Sequence, residues 1–183
     1  MVSVLVPLAQ GCEELEAVTI IDLLRRAGIR VVVAGLDDNP VRGGRGTMLV
    51  PDTTLAQALN QEFNMVVLPG GQPGTNNLNA DTRIHALLKK MATQNKYTAA
   101  ICAAPLVLAN AGLLHGKHAT SFPGVLEKMD LPDVTLQMSA VVQDGKVITS
   151  RGPGTAMDFA LTLIEVLVSK AKRDEVEVGL VRL

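Results

Sequence analysis

Residues 97–105 read YTAAICAAP, an apolar run of strand length that ends at a cysteine and meets a proline three residues later. Pro105 suits the first turn of a helix, because its missing N–H matters little there. The uncharged stretch continues to Leu114, but it contains Pro105 and Gly112 and falls short of the roughly 20 apolar residues of a spanning helix. We therefore predict a buried strand that turns sharply into a buried helix, with Cys102 at the bend.

Similar apolar runs recur along the chain and alternate with segments of helical periodicity. The predicted strands are Val2–Val6, Ile29–Ala34, Met65–Leu68, Thr98–Ile101 and Lys146–Ser150. The predicted helices lie near Glu13–Ala27, Asp81–Gln94, Ala103–Ala111 and Thr155–Ser169. This alternation is typical of βαβ units, so we predict an α/β fold with a doubly wound, mostly parallel sheet between helices. Turn residues at Asp37–Pro40 and Gly43–Gly46 indicate a small β-hairpin.

Composition limits the class of protein. The 183 residues fit one domain, 1–183, and 48% of them are hydrophobic, yet the chain has one Tyr, three Phe and no Trp. An aliphatic core of this kind suits a parallel sheet covered by helices. A net charge of −1, with no Lys/Arg stripe, argues against a specific nucleic-acid partner. The tail, 170–183, is expected to pack on the domain or to form a dimer contact.

The cysteine count indicates the compartment. Cys12 and Cys102 are too few for a disulfide framework, and no signal peptide precedes the first predicted strand. We therefore expect a cytoplasmic protein with no membrane partner. Cys12 lies at the same predicted sheet edge as Cys102, which makes it a candidate resolving thiol. The alternative is a small residue at a tight turn.

Cys102 is the candidate nucleophile. In open α/β sheets ligands bind beyond the carboxyl ends of the strands, where Cys102 lies. A sharp strand-to-helix turn with a small residue at the bend resembles a nucleophile elbow. The following helix N-terminus would stabilise a thiolate, so we expect a pKa below the ordinary value of about 8.5. The alternative is an inert buried cysteine that packs as a small hydrophobic residue.

Two glycines follow another predicted strand, in the run Leu68-Pro69-Gly70-Gly71. Without side chains they let backbone N–H groups approach a ligand closely. Together with the N–H of Ala103 they are candidates for an oxyanion hole. An ordinary strand-to-loop turn would contain the same residues.

Three acidic residues open the first predicted helix, at Glu13, Glu14 and Glu16. Acidic residues in a first turn usually face water and complement the helix dipole, which accounts for two of the three. Glu16 instead shares an apolar face with Ile20, so burial is expected to keep it protonated. A neutral carboxyl beside Cys102 would donate a hydrogen bond to a thiolate or act as a general acid or base.

In combination, these motifs resemble the ThiJ/PfpI superfamily. More narrowly, they are similar to the subfamily of the parkinsonism-associated protein deglycase and bacterial YajL. The resemblance runs from Val2 to about Val168 and rests on the segments EELE (13–16), LPGG (68–71), AICAAP (100–105) and SRGPGT (150–155).

The resemblance implies a flavodoxin-like fold, a homodimer and a Cys102–Glu16 pair that needs neither metal nor cofactor. Gly71 and Ala103 would supply the oxyanion donors. The implied pocket residues, some of them near a dimer contact, are Glu13, Arg45, Phe122 and Arg151. The implied activities are deglycation of methylglyoxal- or glyoxal-modified protein and nucleotide groups, a cofactor-free glyoxalase reaction on small α-oxoaldehydes, and a chaperone or oxidative-stress role.

Phe122 is where the sequence departs from this pattern. Several relatives place a histidine there, and the peptidase-like branch has one where Ala103 stands. The histidines present, at 85, 115 and 118, occupy no expected triad position. A Cys-His-Asp triad is therefore disfavoured, whereas a Cys–Glu mechanism remains compatible with Phe122.

Three functions of different classes remain open. In the first, Cys102 attacks the carbonyl of an α-oxoaldehyde while Glu16 moves protons. In the second, Cys102 is oxidised to a sulfenic or sulfinic acid and the protein is a redox-sensing thiol chaperone. In the third, the chain is a dimeric α/β protein with an unreactive cysteine. Turnover of methylglyoxal separates the first from the others.

Overall fold

The computed structural model describes residues 1–182 and contains one large sheet with helices on both faces. The strands are β1 (Ser3–Leu8), β2 (Arg30–Gly35), β3 (Val41–Arg42), β4 (Met48–Leu49), β5 (Thr53–Thr54), β6 (Met65–Leu68), β7 (Tyr97–Ile101), β8 (His118–Ala119), β9 (Thr135–Leu136), β10 (Val141–Asp144) and β11 (Val147–Ser150). The α-helices are α1 (Glu14–Arg26), α2 (Leu55–Ala58), α3 (Gly74–Ala80), α4 (Thr82–Thr93), α5 (Pro105–Asn110), α6 (Ala156–Leu167) and α7 (Lys170–Gly179).

Seven strands form the large sheet in the order β10-β11-β7-β6-β1-β2-β5. Every neighbouring pair is parallel except β10 and β11, which form an antiparallel hairpin. Strand order reverses at β1, which is the doubly wound pattern that the sequence predicted. The predicted small hairpin is also confirmed, because β3 and β4 pair antiparallel on either side of the Gly43–Gly46 turn.

The register of the parallel strands brings their carboxyl ends together. Leu68 of β6 lies beside Ala100 of β7, and Ile101 of β7 lies beside Ser150 of β11. The residues that follow these strands therefore leave the sheet side by side. Cys102 is one of them, and its neighbours at this edge are the turn after β6 and the turn after β11.

Aliphatic side chains fill both faces of the sheet. On one face α1 and α6 contribute Ile20 and Leu163, and on the other α4 and α5 contribute Leu88 and Leu108. Successive residues of β1 alternate between the two faces, as the strand period requires. The apolar face of α1 that holds Ile20 also holds Glu16, which places a carboxyl in the core beside the sheet edge.

The predicted strands and long helices are confirmed to within two residues. The elements that the sequence analysis missed are α2, α3, α7, β5, β8, β9 and β10. The predicted helix after Cys102 begins two residues later than expected, at Pro105, because Cys102 to Ala104 form the turn itself. The tail packs on α6: Val176 is buried, and Arg182 forms a 2.7 Å salt bridge with Asp158. Leu183, the last residue of the predicted tail, lies outside the described residues. Of the helices in residues 1–182, none combines the length and the hydrophobicity that a membrane-spanning segment needs.

Candidate active site

Cys102 occupies a sharp turn with a left-handed backbone, at φ +63°. This conformation is uncommon for residues other than glycine, and holding one there costs of the order of 1–3 kcal/mol. Hydrogen bonds fix it on both sides: the Cys102 N–H donates to the Ser150 carbonyl at 3.0 Å, and the Cys102 carbonyl accepts the Phe122 N–H at 2.7 Å. The sharp turn predicted from the sequence is therefore present.

The Cys102 sulfur lies in a nest of backbone donors. The N–H groups of Gly71 and Ala103, from the turn after β6 and from the elbow itself, lie close enough to the sulfur to lower its pKa. The side chain is buried, with 8% of the residue exposed. Donors arranged in this way stabilise negative charge on the sulfur or on an oxygen bonded next to it.

The turn at Gly70 and Gly71 leaves no room for side chains. A Cβ atom on Gly70 would lie 2.6 Å from the Cys102 Cβ. Gly71 has φ +91°, and a Cβ there would lie 2.3 Å from the backbone nitrogen of Glu13. The missing side chains therefore allow the turn to touch both the elbow and the start of α1.

Glu16 is fully buried and joins this turn to the cysteine. Its Oε2 accepts the Gly70 N–H at 2.8 Å, and its carboxyl lies close enough to Cys102 for each group to shift the pKa of the other. No donor among residues 1–182 faces its Oε1, which is also buried. Leaving a carboxylate oxygen unpaired is costly, whereas a protonated carboxyl becomes a donor to the sulfur.

One predicted role is wrong. Gly70 does not offer a free oxyanion donor, because the Glu16 carboxylate already accepts its N–H. Its carbonyl is also occupied, by the Glu13 N–H at 2.8 Å. Gly70 therefore holds Glu16 and the start of α1 in place, whereas the N–H groups of Gly71 and Ala103 bind no oxygen within residues 1–182.

Burial raises the pKa of Glu16 from 4.5 to about 7, and the nearby charge of Glu13 acts in the same direction. The Gly70 N–H and the hydrogen bond to Cys102 oppose the shift without cancelling it. The expectation that burial favours the protonated form of Glu16 agrees with this direction.

The pKa of Cys102 lies in the opposite direction to the one expected. Burial raises it to about 12, and the charge of Glu16 and the hydrogen bond to it add to the effect. The Gly71 and Ala103 N–H groups lower it, but by less. The two contributions of Glu16 require its ionised form, so they disappear when Glu16 carries the proton. The two groups therefore titrate as a coupled pair.

Glu14 has a structural role that the sequence did not reveal. We expected it to face water, but it is buried and accepts the N–H of Arg45 at 2.9 Å and that of Thr47 at 3.3 Å. Burial acts to raise its pKa, yet these donors outweigh it and lower the pKa. Glu14 thus anchors the β3–β4 turn to the start of α1.

Phe122 stands next to the elbow. Its N–H binds the Cys102 carbonyl, its ring would lie 3.3 Å from a Cβ on Gly152, and 47% of the residue is exposed. Arg45 is exposed and Arg151 half-buried. Across residues 1–182, neither guanidinium forms a hydrogen bond or a salt bridge, so the structure does not join them to the cysteine.

The remaining candidates lie elsewhere. His85 contacts the Asn79 carbonyl, and the other two histidines, both exposed, pair with the acidic side chains of Asp133 and Asp144. Cys12 is buried in a tight turn, where its carbonyl accepts the Gly44 N–H at 2.8 Å. Burial, and then the charge of Glu14, raise the Cys12 pKa to about 11, which disfavours an attacking thiolate. Within the described part of the chain, no three His, Cys, Asp or Glu side chains are arranged to hold a metal ion.

Comparisons with known proteins extend these observations. A model of the DJ-1/PfpI family matches residues 2–166. Protein dj-1beta of Drosophila melanogaster is 45% identical over 179 residues, which cover 97% of this chain and 96% of that protein. The glutathione-independent glyoxalase DJR-1.2 of Caenorhabditis elegans is 36% identical over 163 residues, which cover 89% of this chain and 87% of that protein. The crystal structure of Drosophila DJ-1beta matches with a TM-score of 0.95 at 43% identity, over 100% of this chain and 98% of that one.

Proposed function

This chain belongs to the DJ-1/PfpI family and, within it, to the DJ-1 subfamily, and on this premise we propose that it is a cysteine-dependent enzyme for small α-oxoaldehydes. The substrates would be methylglyoxal and glyoxal, or their adducts on protein and nucleotide groups. The observation that supports this best is the contact between the Glu16 carboxyl and the Cys102 sulfur, at an elbow lined by two backbone N–H donors. The name of the C. elegans relative points to the same class of reaction.

The chemistry begins at the sulfur. The Cys102 thiolate adds to the aldehyde carbon of methylglyoxal, and the negative charge moves to the aldehyde oxygen. The N–H groups of Gly71 and Ala103, which lie close to the sulfur in the free protein, are within reach of that oxygen once the bond forms. The Glu16 carboxyl gives its proton to the oxygen, and a hemithioacetal results.

Glu16 then acts as a base. Its carboxylate removes the proton from the former aldehyde carbon, and a proton returns to the neighbouring carbonyl carbon through an enediol. The aldehyde carbon is thereby oxidised to a thioester while its neighbour is reduced to an alcohol, so no external redox partner is needed. Water hydrolyses the thioester, releasing lactate and regenerating the Cys102–Glu16 pair.

We also propose that the protein is a homodimer. Apolar side chains are exposed on α1, at Leu15 and Val18, and beside the β3–β4 hairpin, at Met48 and Val50. Glu14 ties the hairpin turn to the start of α1, so the two groups belong to one region of the surface. A second copy of the chain covering this region would remove them from water. Sedimentation velocity tests the proposal, and a monomer at all concentrations would contradict it.

Both cysteines are free, and the proposed reaction needs a reduced thiol, so a reducing compartment such as the cytoplasm suits this function. The test is lactate formation from methylglyoxal by the wild type and by Cys102→Ser. We expect turnover in the wild type and its loss in the variant. A wild type that forms no lactate, but loses its Cys102 thiol to peroxide, would instead favour the redox-sensing chaperone.

A further inference from the structure

A cavity of about 730 Å³ lies at the edge of the sheet opposite to Cys102. Tyr97 and Thr98, which begin β7, line it together with Gly145 and Lys146, which precede β11. Its size falls within the range of pockets that hold small molecules. None of the residues of the proposed active site contributes to its walls.

Every ionisable side chain that lines this cavity, apart from the phenol of Tyr97, is basic: the four are Lys96, Lys117, Lys146 and His115. Lys96 pairs with Glu62, and Lys117 pairs with Asp144 at 3.4 Å. These carboxylates belong to residues outside the cavity walls.

Lys146 differs from the other lysines. Within residues 1–182 it has no carboxylate partner, and its ammonium lies 3.9 Å from the centre of the Tyr97 ring. A cation–π contact of this kind contributes about 0.5–1 kcal/mol at an exposed site and leaves the three N–H donors without a strong acceptor. The residue is half-buried, so a charge brought to it would be screened less than on open surface.

The lysines could also be present to neutralise the negative ends of helices at the same edge of the sheet, rather than to bind an anion. The C-termini of α4 and α5 adjoin the cavity, and each carries about half a negative charge. Glu62 and Asp144 add one negative charge each, and Glu62 is also shared with Lys90. The three lysines of the cavity and Lys90 together carry four positive charges, so these negative charges leave a surplus of about one positive charge. Because the other lysines are paired, the surplus lies at Lys146.

The rest of the wall is largely apolar. Ala92, Leu113 and Val147 line it beside the Tyr97 ring. We propose that the cavity binds a small organic anion, a phosphate or carboxylate with a flat apolar body, and that Lys146 binds the anionic group. The apolar body would cover the aliphatic wall, which a bare inorganic ion cannot do.

Calorimetric titration of the full chain with phenyl phosphate, benzoate, inorganic phosphate and neutral benzyl alcohol tests the proposal. We expect saturable binding of at least one organic anion, more tightly than of inorganic phosphate or of the alcohol. The stronger of phenyl phosphate and benzoate identifies the anionic group. Equal affinity for organic anion and bare phosphate would overturn the apolar part of the proposal, and the absence of saturable binding would overturn all of it.

Two lysine variants locate the site. Lys146→Gln should raise the Kd about tenfold, the effect of losing roughly 1.4 kcal/mol. Lys89→Gln, on the exposed surface of α4 and outside the cavity walls, should leave the Kd unchanged. If a thermal melt shows that Lys146→Gln does not fold, Lys117→Gln, which changes another lysine of the cavity, replaces it and should also raise the Kd. Equal binding by the wild type and the folded cavity variants would contradict the assignment.

Discussion

The buried carboxyl of Glu16, in the first turn of α1, lies beside the sulfur of Cys102, just after β7, and each group shifts the pKa of the other. The pKa of each group is raised, to about 7 for Glu16 and about 12 for Cys102, chiefly by burial. Two negative charges in this poorly solvated site would repel each other. The pair therefore loses one proton near neutral pH and keeps the second well into the alkaline range.

The first prediction concerns the reactivity of Cys102 as a function of pH. After the first ionisation one proton remains on the pair, and a molecule that carries it on Glu16 has a reactive Cys102 thiolate. The rate at which iodoacetamide alkylates Cys102 should therefore rise with pH through a midpoint of about 7 and then level off. Mass spectrometry of the modified peptide measures this rate separately from that of Cys12. A rate that does not level off but continues to rise toward pH 12 would show that the proton stays on the sulfur.

The second prediction concerns stability. Glu16 has a higher pKa in the folded state than its ordinary 4.5, so the folded protein holds this proton more tightly than the unfolded chain. This contribution is complete below pH 4.5 and is lost as the pH rises to about 7. It amounts to about 3 kcal/mol. Urea unfolding measured between pH 4.5 and 7 should show that the unfolding free energy of the wild type falls relative to that of Glu16→Gln. If the unfolding free energies of the two proteins changed with pH in parallel, the prediction would be wrong.

The third prediction concerns the turn after β6. Gly71→Ala places a Cβ against the backbone nitrogen of Glu13, in a left-handed conformation that alanine disfavours. We expect a loss of about 1–3 kcal/mol in unfolding free energy, together with loss of turnover. Gly154→Ala is the matched control, because nothing lies within 4 Å of its added Cβ. Similar stability of the two variants would mean that the tight turn is not needed.

The fourth prediction concerns substrate preference. The half-exposed ring of Phe122 stands next to the elbow and offers an apolar wall to a bound aldehyde. Phe122→Ala should therefore lower kcat/KM about tenfold for phenylglyoxal and less for methylglyoxal, as expected for lost apolar contacts. Steady-state kinetics with both substrates decides the point. An unchanged ratio of the two kcat/KM values would remove Phe122 from the binding site.

The fold could be predicted well from the sequence because hydrophobic periodicity and turn-forming glycine and proline residues are local signals. The strand-to-helix turn at Cys102 could be located from an apolar run followed by Pro105. Burial of Glu16 could be inferred from its place on the face of Ile20. The short α3 was missed because seven residues hold too little periodic pattern, and α7 was missed because charged residues dominate it and it buries only Val176.

The details of the site depend on contacts across the chain that no local pattern encodes. Gly70 was assigned as an oxyanion donor, but its N–H is bound by a residue on another element, Glu16. Glu14 was expected to face water because acidic residues at helix starts usually do, yet the turn after β3 supplies it with donors. The low pKa expected for Cys102 rested on the helix N-terminus and on a hydrogen bond from a neutral Glu16, and it left out the effect of burial and of Glu16 in its ionised form.

The most direct test of the Cys102–Glu16 account is lactate formation by Glu16→Gln, compared with the wild type and with Glu165→Gln on the exposed side of α6. Glutamine keeps the shape and a hydrogen-bond donor for the sulfur, so Cys102 should remain open to alkylation while proton transfer is lost. We expect kcat to fall by at least about 100-fold, the lower end of what general acid–base catalysis contributes, and Glu165→Gln to match the wild type. Full turnover in Glu16→Gln would contradict the account, because Glu16 would then move no proton in the reaction.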